Sequence, residues 1–179
     1  MGCHYKRANK SLDAVCHTDM GNDAGMATTL AFAGANVLVA GATGGLGSRF
    51  VAQLAHAGAH VTAVGRDPER LAMLDVDLAQ AIALDLRLPN ACASAVHTAA
   101  SRGPIDLLVN ATGVVAFGTV SELSIDAMEE LFLTNVFVPI MLSQAALPAM
   151  AQGGTIVHIS GVIAEQNLPG MVTYGASKA

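Results

Sequence analysis

The sequence contains few aromatic residues, no tryptophan and little positive charge. Aromatic side chains make up 4% of the 179 residues, and the net charge is −5. Single-stranded nucleic acids are bound by stacking bases on aromatic side chains, and duplexes by neutralising phosphates with basic ones. This composition argues against the common classes of nucleic-acid-binding protein, and we expect no nucleic-acid partner.

Cysteine is also scarce. Cys3, Cys16 and Cys92 are odd in number and far apart, so we expect no disulfide framework and a reducing, cytoplasmic location. Cys3-His4 and Cys16-His17 could be imagined as four zinc ligands. Adjacent ligands suit one tetrahedral ion poorly, however, and the spacing matches no common zinc module. We predict no metal site.

The sequence lacks a long uninterrupted hydrophobic run. The apolar stretch at 24–42 is broken by Gly25, Gly34 and Asn36, and a strand followed by a glycine turn explains it better than a membrane helix. Acidic residues follow the basic ones near the N-terminus, which is not the pattern of a signal peptide. We therefore expect no membrane partner.

Short apolar runs and helical stretches alternate from Asn36 onward. This alternation is typical of right-handed βαβ units and a parallel sheet that is buried on both faces. It predicts an α/β fold, a Rossmann-type doubly wound sheet with five recognisable strands, in a domain over 34–179. Residues 1–33 have no clear period and are predicted to be a disordered tail. The predicted strands are Val37–Ala40, His60–Val64, Gln80–Leu84, Ile105–Val109 and Thr155–Ile159, and helices are expected to begin near Gly45, Pro68, Ala91, Ser124 and Val172.

Glycine and proline give finer expectations for the second half of the chain. Gly153-Gly154 is predicted to form a turn that leads into the last strand. Pro139 and Pro148 should bend or end the long helical region that begins near Ser124, because proline lacks the N–H that a helix interior uses.

A glycine-rich turn follows the first strand and opens the first helix. Gly41-Ala42-Thr43-Gly44-Gly45-Leu46-Gly47 would let the backbone approach a pyrophosphate, and the helix N-terminus would offer free N–H groups to it. The alternative is a tight turn that binds nothing. The turn is not a P-loop, because no Gly-Lys-Ser/Thr follows. We predict a nucleotide site here.

The end of the second strand bears on the choice of cofactor. An acidic residue there would hold the ribose 2′-hydroxyl of NAD, but Gly65 occupies the position and Arg66 follows. Arginine suits a 2′-phosphate, so NADP(H) is favoured over NAD(H). The alternative is that Arg66 is only a solvated loop charge.

The last six residues contain a tyrosine and a lysine four positions apart. Tyr174 and Lys178 would lie on one face of a helix. An ammonium beside a phenol favours the phenolate form, and such a pair can transfer a proton near neutral pH. The motif is short enough to arise by chance, so its weight comes from the glycine turn that precedes it.

Taken together, the motifs from Asn36 to Ala179 resemble those of the short-chain dehydrogenase/reductase family in its single-domain branch. Five of them occur in the family's order, which is strong support where any one would be weak. They are the G-x-x-x-G-x-G turn at Gly41, Gly45 and Gly47, the acid–aliphatic pair Asp85-Leu86, the N-A-x-G sequence Asn110-Ala111-Thr112-Gly113, the helix residue Asn135, and the Y-x-x-x-K pair Tyr174 and Lys178.

The resemblance implies an oxidoreductase that transfers hydride between NADP(H) and a small carbonyl or alcohol substrate. Tyr174 would donate a proton to the carbonyl oxygen. Lys178 would favour that transfer and bind the nicotinamide ribose, and Asn135 would support a water relay to Lys178. Asp85 and Leu86 would contact adenine, and Asn110, Ala111 and Gly113 would lie along the cofactor.

The chain departs from the family at the catalytic serine. The family places this serine thirteen residues before the tyrosine, and Gly161 stands there, with Ser160 one residue earlier. One step along a strand reverses the direction of a side chain. Ser160 can therefore orient the substrate only if the backbone bends. Otherwise a water or a group in 165–167 must polarise the carbonyl.

Several of these residues also have structural interpretations. Asp85 could cap a helix or turn, Asn110 could tie two strands together, and Asn135 could be a satisfied polar group in a buried helix. His158 is interpreted as a packed or hydrogen-bonded imidazole, and Ser177 as a helix filler.

Family members continue for several tens of residues beyond the Y-x-x-x-K motif. The resemblance therefore implies that further strands and the substrate lid are missing from the 179 residues, and we expect weak catalysis from them. A homo-oligomer is implied by the family. The alternative function is that of a non-catalytic nucleotide-binding or interaction fragment of such an enzyme.

Overall fold

The computed structural model describes residues 32–166 and 168–179, and these form one five-stranded parallel sheet with helices on both faces. The strand order is β3-β2-β1-β4-β5, so the predicted doubly wound α/β fold is confirmed. The strands are β1 Asn36–Ala40, β2 His60–Gly65, β3 Gln80–Ala83, β4 Ile105–Asn110 and β5 Met150–His158.

All the helices except the last connect consecutive strands, as βαβ units require. Asp67 caps one of them, because its carboxylate accepts the backbone N–H groups of Glu69 and Arg70. The helices are α1 Gly45–His56, α2 Pro68–Ala72, α3 Ala91–Ala100, α4 Ile125–Phe132, α5 Val138–Ala146 and α6 Val172–Lys178.

Side chains that alternate along β1 build two separate cores. Leu38 and Ala40 face the cluster that contains α3 and α5, whereas Val37 and Val39 face the cluster that contains α1. All four side chains are fully buried. A strand buried on both faces explains why the run is continuously apolar.

The sheet order creates a crevice between β1 and β4. These two strands are neighbours, but the chain leaves β1 toward β2 and leaves β4 toward β5, on opposite sides. Such a switch point, outside the carboxyl ends of the strands, is where open α/β sheets bind ligands.

The last strand differs from its prediction. β5 begins at Met150, not at Thr155, and includes Gly153-Gly154, which had been predicted as a turn before it. Ile105 pairs with Met150 but Leu107 pairs with Thr155, so β5 bulges between them. Gly153 has a φ of +81°, and this left-handed conformation lets the chain loop out and resume pairing.

The long helical region runs from Ile125 to Ala149 and changes pitch in its middle. A π-helical turn over Leu133–Phe137 separates α4 from α5, and a 3-10 turn over Leu147–Ala149 ends the region. Pro139 lies in the first turn of α5 and Pro148 lies in the 3-10 turn. Pro148 lies where the helical region ends, as predicted, whereas the helix continues through Pro139 to Ala146, so Pro139 does not end it.

By length and composition alone, the region Ile125–Ala149 could cross a membrane, but the core helix of a soluble protein passes the same test. Val138, Leu142 and Ala146 pack against the sheet, which accounts for one apolar face. The absence of a membrane partner stays a prediction.

The α1 face of the sheet is partly open. Among the described residues, no helix covers the groove beside α1 over β4 and β5, and Phe50, Leu107 and Val157 are part of its lining. Phe32 packs against the α1 cluster, so the packed unit includes this residue, two positions before the predicted domain start. The predicted disordered tail covers residues 1–33, of which 1–31 lie outside the described residues.

Candidate active site

The glycines of the β1–α1 turn have different physical roles. Gly41 has a φ of +76°, and a Cβ there would lie 2.7 Å from the backbone carbonyl carbon of Ala111. A Cβ at Gly47 would collide with the Gly41 carbonyl oxygen. A Cβ at Gly45 would meet nothing within 4 Å. The protein itself therefore requires Gly41 and Gly47, whereas only a ligand could require Gly45.

This turn leaves the N-terminus of α1 free to bind an anion. Gly44 caps the helix without a side-chain hydrogen bond, and the neighbouring Leu46 is 56% exposed. The first N–H groups of a helix lack partners within it and carry partial positive charge. The open space at Gly45 and these N–H groups fit a pyrophosphate.

Arginines line the cleft beside this turn. Arg66 is exposed at the end of β2, and Arg70 on α2 donates from Nη2 to the Thr43 carbonyl oxygen at 2.6 Å. Both arginines line the same cleft as Gly41, Gly44 and Gly65. The cleft therefore carries positive charge next to the glycine turn.

Gly65 is held close to the turn. A Cβ at this position would lie 3.0 Å from Thr43 Cγ2 and 3.2 Å from Thr43 Oγ1. An acidic side chain at position 65 would therefore require Thr43 to move.

Asp85 and Leu86 follow β3 and also line the cleft. Arg87 engages the Asp85 carboxylate with both its backbone N–H and its guanidinium, and Nη1 reaches Glu130 Oε1 on α4 at 2.9 Å. The side-chain hydrogen bonds from Arg87 hold the pKa of Asp85 below its usual value. The adenine contact of Asp85 and Leu86 stays a prediction.

The end of β4 is organised by Asn110. Its Oδ1 accepts hydrogen bonds from the Thr112 N–H at 3.2 Å and the Thr112 hydroxyl at 2.7 Å. Its amide nitrogen lies 3.4 Å from Nδ1 of His158 on β5. Asn110 therefore shapes the turn through Ala111 and Gly113 and also ties two strands together. His158 Nε2 lies 3.0 Å from the Ser143 hydroxyl, as expected for a hydrogen-bonded imidazole.

Tyr174 and Lys178 lie one turn apart on α6, as the spacing predicted. The ammonium of Lys178 donates to the Ile159 carbonyl oxygen at 3.1 Å, and a Cβ at Gly113 would lie 3.2 Å from Nζ. The fold thus brings the lysine to the carboxyl ends of β4 and β5. Burial lowers the pKa of Lys178 from its ordinary value.

Asn135 lies in the π-helical turn, a local widening of the helix that is frequent at functional sites. Its Oδ1 accepts the Val114 N–H at 2.9 Å, and its Nδ2 donates to the Val114 carbonyl oxygen at 2.9 Å. Nδ2 also donates to the Ser177 hydroxyl at 2.9 Å, and that hydroxyl donates to the Tyr174 carbonyl oxygen. Asn135 therefore joins the N-A-x-G segment to the helix that carries Tyr174 and Lys178.

The family pattern places the serine hydroxyl at position 161, whereas this chain has its serine at position 160. Ser160 donates to the backbone carbonyl oxygen of Lys178 at 2.6 Å. A Cβ at Gly161, by contrast, would lie 3.9 Å from the Tyr174 hydroxyl oxygen. The side chain that faces Tyr174 therefore belongs to position 161, and the role of Ser160 stays a prediction.

Sequence reasoning missed three residues of this arrangement. Ser177, interpreted as a helix filler, is 5% exposed and bridges Asn135 to α6. Arg70 and Arg87 were not singled out, because no local pattern shows that either folds back onto another turn. A sequence signal was available for Ser177. It is a polar residue inside the Y-x-x-x-K motif, so it packs against the same neighbours as Tyr174 and Lys178.

Potential metal ligands are not clustered in the part of the chain that the structure describes: no group of three His, Cys, Asp or Glu side chains is close enough to hold an ion. Cys3, His4, Cys16 and His17, the residues considered for zinc, lie outside that part. The sequence-based expectation of no metal site stays a prediction.

Comparisons with known proteins match the whole described domain. A family model described as short chain dehydrogenase matches residues 35–179. Dehydrogenase/reductase SDR family member 7B of Danio rerio is 31% identical over 157 residues, which cover 79% of this chain and 51% of that protein. Ketoacyl reductase HetN of a Nostoc species is 32% identical over 155 residues, covering 82% and 54%. The chain thus spans about half the length of the curated relatives that it matches.

Solved structures agree with the fold. A short-chain dehydrogenase/reductase of Serratia marcescens has a TM-score of 0.77 at 30% identity, covering 82% of this chain and 64% of that one. A short chain dehydrogenase of Burkholderia cenocepacia in complex with NADP has a TM-score of 0.76 at 32% identity, with the same coverage. The family model covers residues 35–179, and the glycine turn, Asn135 and the Tyr174–Lys178 pair are all present. The chain therefore belongs to the short-chain dehydrogenase/reductase family of oxidoreductases.

Proposed function

We propose that this chain is the cofactor-binding and proton-transfer part of an NADP(H)-dependent oxidoreductase that acts on a carbonyl/alcohol pair. The observation that carries the proposal is that Lys178 Nζ lies close to Gly113. A Cβ attached to Gly113 would lie only 3.2 Å from this nitrogen. This approach puts the Tyr174–Lys178 pair at the sheet edge that also carries the glycine turn.

The charges around the cleft support NADP(H) over NAD(H). Arg66 and Arg70 line it, and neither forms an ion pair with a carboxylate among residues 32–166 and 168–179. Because β2 ends in Gly65, no acidic side chain stands there that would bind a ribose 2′-hydroxyl or repel a 2′-phosphate. A neighbour of known structure from a metagenomic library is in complex with NADPH, and its 30% identity makes the same cofactor reasonable here.

The residues of the site have separate tasks in this proposal. When bound, the nicotinamide cofactor supplies or accepts the hydride. Tyr174 holds the proton that the carbonyl oxygen receives and takes it back in the reverse direction. Lys178 binds the nicotinamide ribose through its ammonium, which lies beside Gly113 and the Ile159 carbonyl oxygen. Asn135, bonded to Ser177 and Val114, keeps α6 next to the N-A-x-G segment.

The remaining parts of the proposal concern partners and location. The substrate is a small molecule. Phe137 and Ile140 are 52% and 49% exposed on the long helix, which supports a homo-oligomer. The buried free thiol of Cys92 is compatible with a reducing cytoplasm.

Gly45→Ala tests the nucleotide site with little risk to the fold. An added Cβ would meet no atom within 4 Å outside its own helical turn, so the substitution should not strain the fold. We expect unchanged or higher thermal stability together with a loss of NADPH affinity of at least about 10-fold, or 1.4 kcal/mol. Isothermal titration measures the affinity. A Gly45→Ala protein that binds NADPH like the wild type would contradict the site.

Arg66→Ala and Arg70→Ala test cofactor preference. Each should lower NADPH affinity by about 10-fold or more, because hydrogen bonds to charged groups contribute about 1.5–3 kcal/mol. NADH affinity should change little. An equal loss for both cofactors would show that the arginines do not contact the 2′-phosphate.

A second candidate function is nucleotide binding without catalysis. It is favoured by the extent of the match, which covers about half of the curated relatives. Stoichiometric NADPH binding without carbonyl-dependent NADPH oxidation, across a panel of ketones and aldehydes, would support this function over the first.

A further inference from the structure

Gly65 and Thr43 lie side by side in the cleft. A Cβ attached to Gly65 would lie 3.0 Å from Thr43 Cγ2 and 3.2 Å from Thr43 Oγ1. The next neighbour, Leu71 Cδ2, would lie 3.4 Å away, close to an ordinary van der Waals separation. Gly65 does not have a positive φ, so the backbone there does not itself require glycine. The Thr43 side chain is therefore the closest obstacle, among the described residues, to a side chain at position 65.

Hydrogen bonds hold the backbone of the glycine turn against the end of β2. The Ala42 N–H donates to the Val64 carbonyl oxygen at 2.9 Å. The Thr43 carbonyl oxygen accepts a hydrogen bond from Arg70 Nη2 at 2.6 Å. A side chain added at Gly65 would therefore gain little room from a shift of the turn, and the room must come from the Thr43 side chain itself.

Rotation of the Thr43 side chain does not remove the obstacle. Threonine has two heavy atoms on Cβ and three staggered positions for them. The two positions that are now occupied both lie within 3.2 Å of the Cβ that a residue at position 65 would have. Every staggered rotamer keeps at least one atom in one of these two positions. Alanine would have neither atom, whereas valine would have two methyl groups in their place.

We infer that Thr43 is a further determinant of the preference for NADP(H), because it fills the space that an acidic side chain at the end of β2 would need. Such an acid holds the ribose 2′-hydroxyl of NAD(H) only if its carboxylate can point into the cleft. The preference therefore depends on position 43 as well as on Arg66 and Arg70. The inference rests on the proposed binding of NADPH in this cleft, which Thr43 and Gly65 both line.

The test measures how much NADH affinity Gly65→Asp adds in three backgrounds. Isothermal titration gives the dissociation constants of NADH and NADPH with and without Gly65→Asp in the wild type, in Thr43→Ala and in Thr43→Val. We expect Gly65→Asp to raise NADH affinity by about 10-fold or more in the Thr43→Ala background, the worth of a hydrogen bond to a charged group. The wild-type and Thr43→Val backgrounds should show no comparable gain.

Thr43→Val is the matched control. It keeps two heavy atoms on Cβ but removes the hydroxyl, so it separates the size of the Thr43 side chain from its hydrogen bonding. A gain in the Thr43→Val background that equals the gain in Thr43→Ala would show that size is not the cause, and it overturns the inference. The absence of a gain in the Thr43→Ala background overturns it as well.

Protein stability gives a second measurement that needs no nucleotide. Gly65→Ala adds only the Cβ, so urea unfolding should show a larger loss of stability in the wild type than in the Thr43→Ala background. This comparison decides the matter if a Gly65→Asp protein does not fold. Equal losses in the two backgrounds would then overturn the inference.

Failure of the proposed function would look different. A wild type that binds neither nucleotide contradicts the nucleotide site itself, and this inference with it. If the wild type binds NADPH tightly and Gly65→Asp alone gains as much NADH affinity as it does in the Thr43→Ala background, the proposed function stands and only the role of Thr43 is overturned.

Discussion

Position 161 faces the phenol of Tyr174: a Cβ attached to Gly161 would lie 3.9 Å from the Tyr174 hydroxyl oxygen, with Ile163 Cγ2 at 3.5 Å. The neighbouring Ser160 donates its hydroxyl to the Lys178 carbonyl oxygen instead. The alternation of side chains along extended backbone explains why these two adjacent positions differ in direction. The site therefore has the space for a hydroxyl beside Tyr174, and the sequence places glycine there.

Gly161→Ser should raise carbonyl-dependent NADPH oxidation, because the added hydroxyl could donate to the substrate oxygen beside Tyr174. The gain should not exceed about 10²–10⁴-fold, the usual contribution of a positioned proton donor. Initial rates at saturating NADPH measure it. Gly161→Ala is the matched control, since it adds the Cβ without the hydroxyl. Equal rates for the two variants would contradict a role for a hydroxyl at this position.

Ser177→Ala should destabilise the protein although it removes only one oxygen. The substitution leaves one Asn135 amide hydrogen without its acceptor in a buried site, which costs about 1–3 kcal/mol of unfolding free energy. Urea unfolding followed by circular dichroism measures the change. Ser101→Ala, at an exposed helix end, should change the stability by no more than about 0.5 kcal/mol. A similar small effect for Ser177→Ala would show that the bridge to Asn135 contributes little.

His158 should make stability depend on pH on the acid side of neutrality. Burial lowers the pKa of this imidazole below 6.5, so between the folded and unfolded pKa values the unfolded chain binds more protons. The free energy of unfolding therefore falls as the pH falls below about 6.5, and the fall should be small because the His158 side chain is exposed enough for solvent to screen its charge.

Urea unfolding at a series of pH values measures this slope. His158→Gln should flatten the dependence on the acid side, and the matched control is His97→Gln, which removes an imidazole from α3 instead. Parallel curves for the wild type and His158→Gln would rule out His158 as the source.

Cys92 should react with thiol reagents only after unfolding. It is buried in α3, its Sγ lies 3.4 Å from the Leu86 carbonyl oxygen, and burial raises its pKa to about 11. The reactive thiolate is therefore scarce at neutral pH. In a protein with Cys3 and Cys16 replaced by serine, iodoacetamide labelling should follow the unfolding transition in urea.

An exposed thiol on the same helix provides the comparison. Ser94→Cys, combined with Cys92→Ala, should label rapidly in the native protein, because position 94 faces solvent. Equally rapid native labelling of Cys92 would contradict its burial.

The sequence by itself determined the fold class and the family. Continuous apolar strands such as Val37–Ala40, separated by helical stretches, require a parallel sheet covered on both faces. Tyr174 and Lys178 share a helix face because four residues make about one turn. The glycine turn was recognisable because the left-handed φ of Gly41, and the clash of a Cβ at Gly47 with the Gly41 carbonyl oxygen, are local to the strand–turn–helix unit.

Only the tertiary structure decided which distant groups meet. The bulge at Gly153 depends on pairing with β4, and the bridge from Asn135 through Ser177 joins residues 42 positions apart. Arg87 follows the acid–aliphatic pair in the sequence, yet its partner Glu130 on α4 lies 43 positions away. Hydrogen bonds and burial are made by side chains that the chain brings together in space, and a residue's type and spacing do not specify its partner.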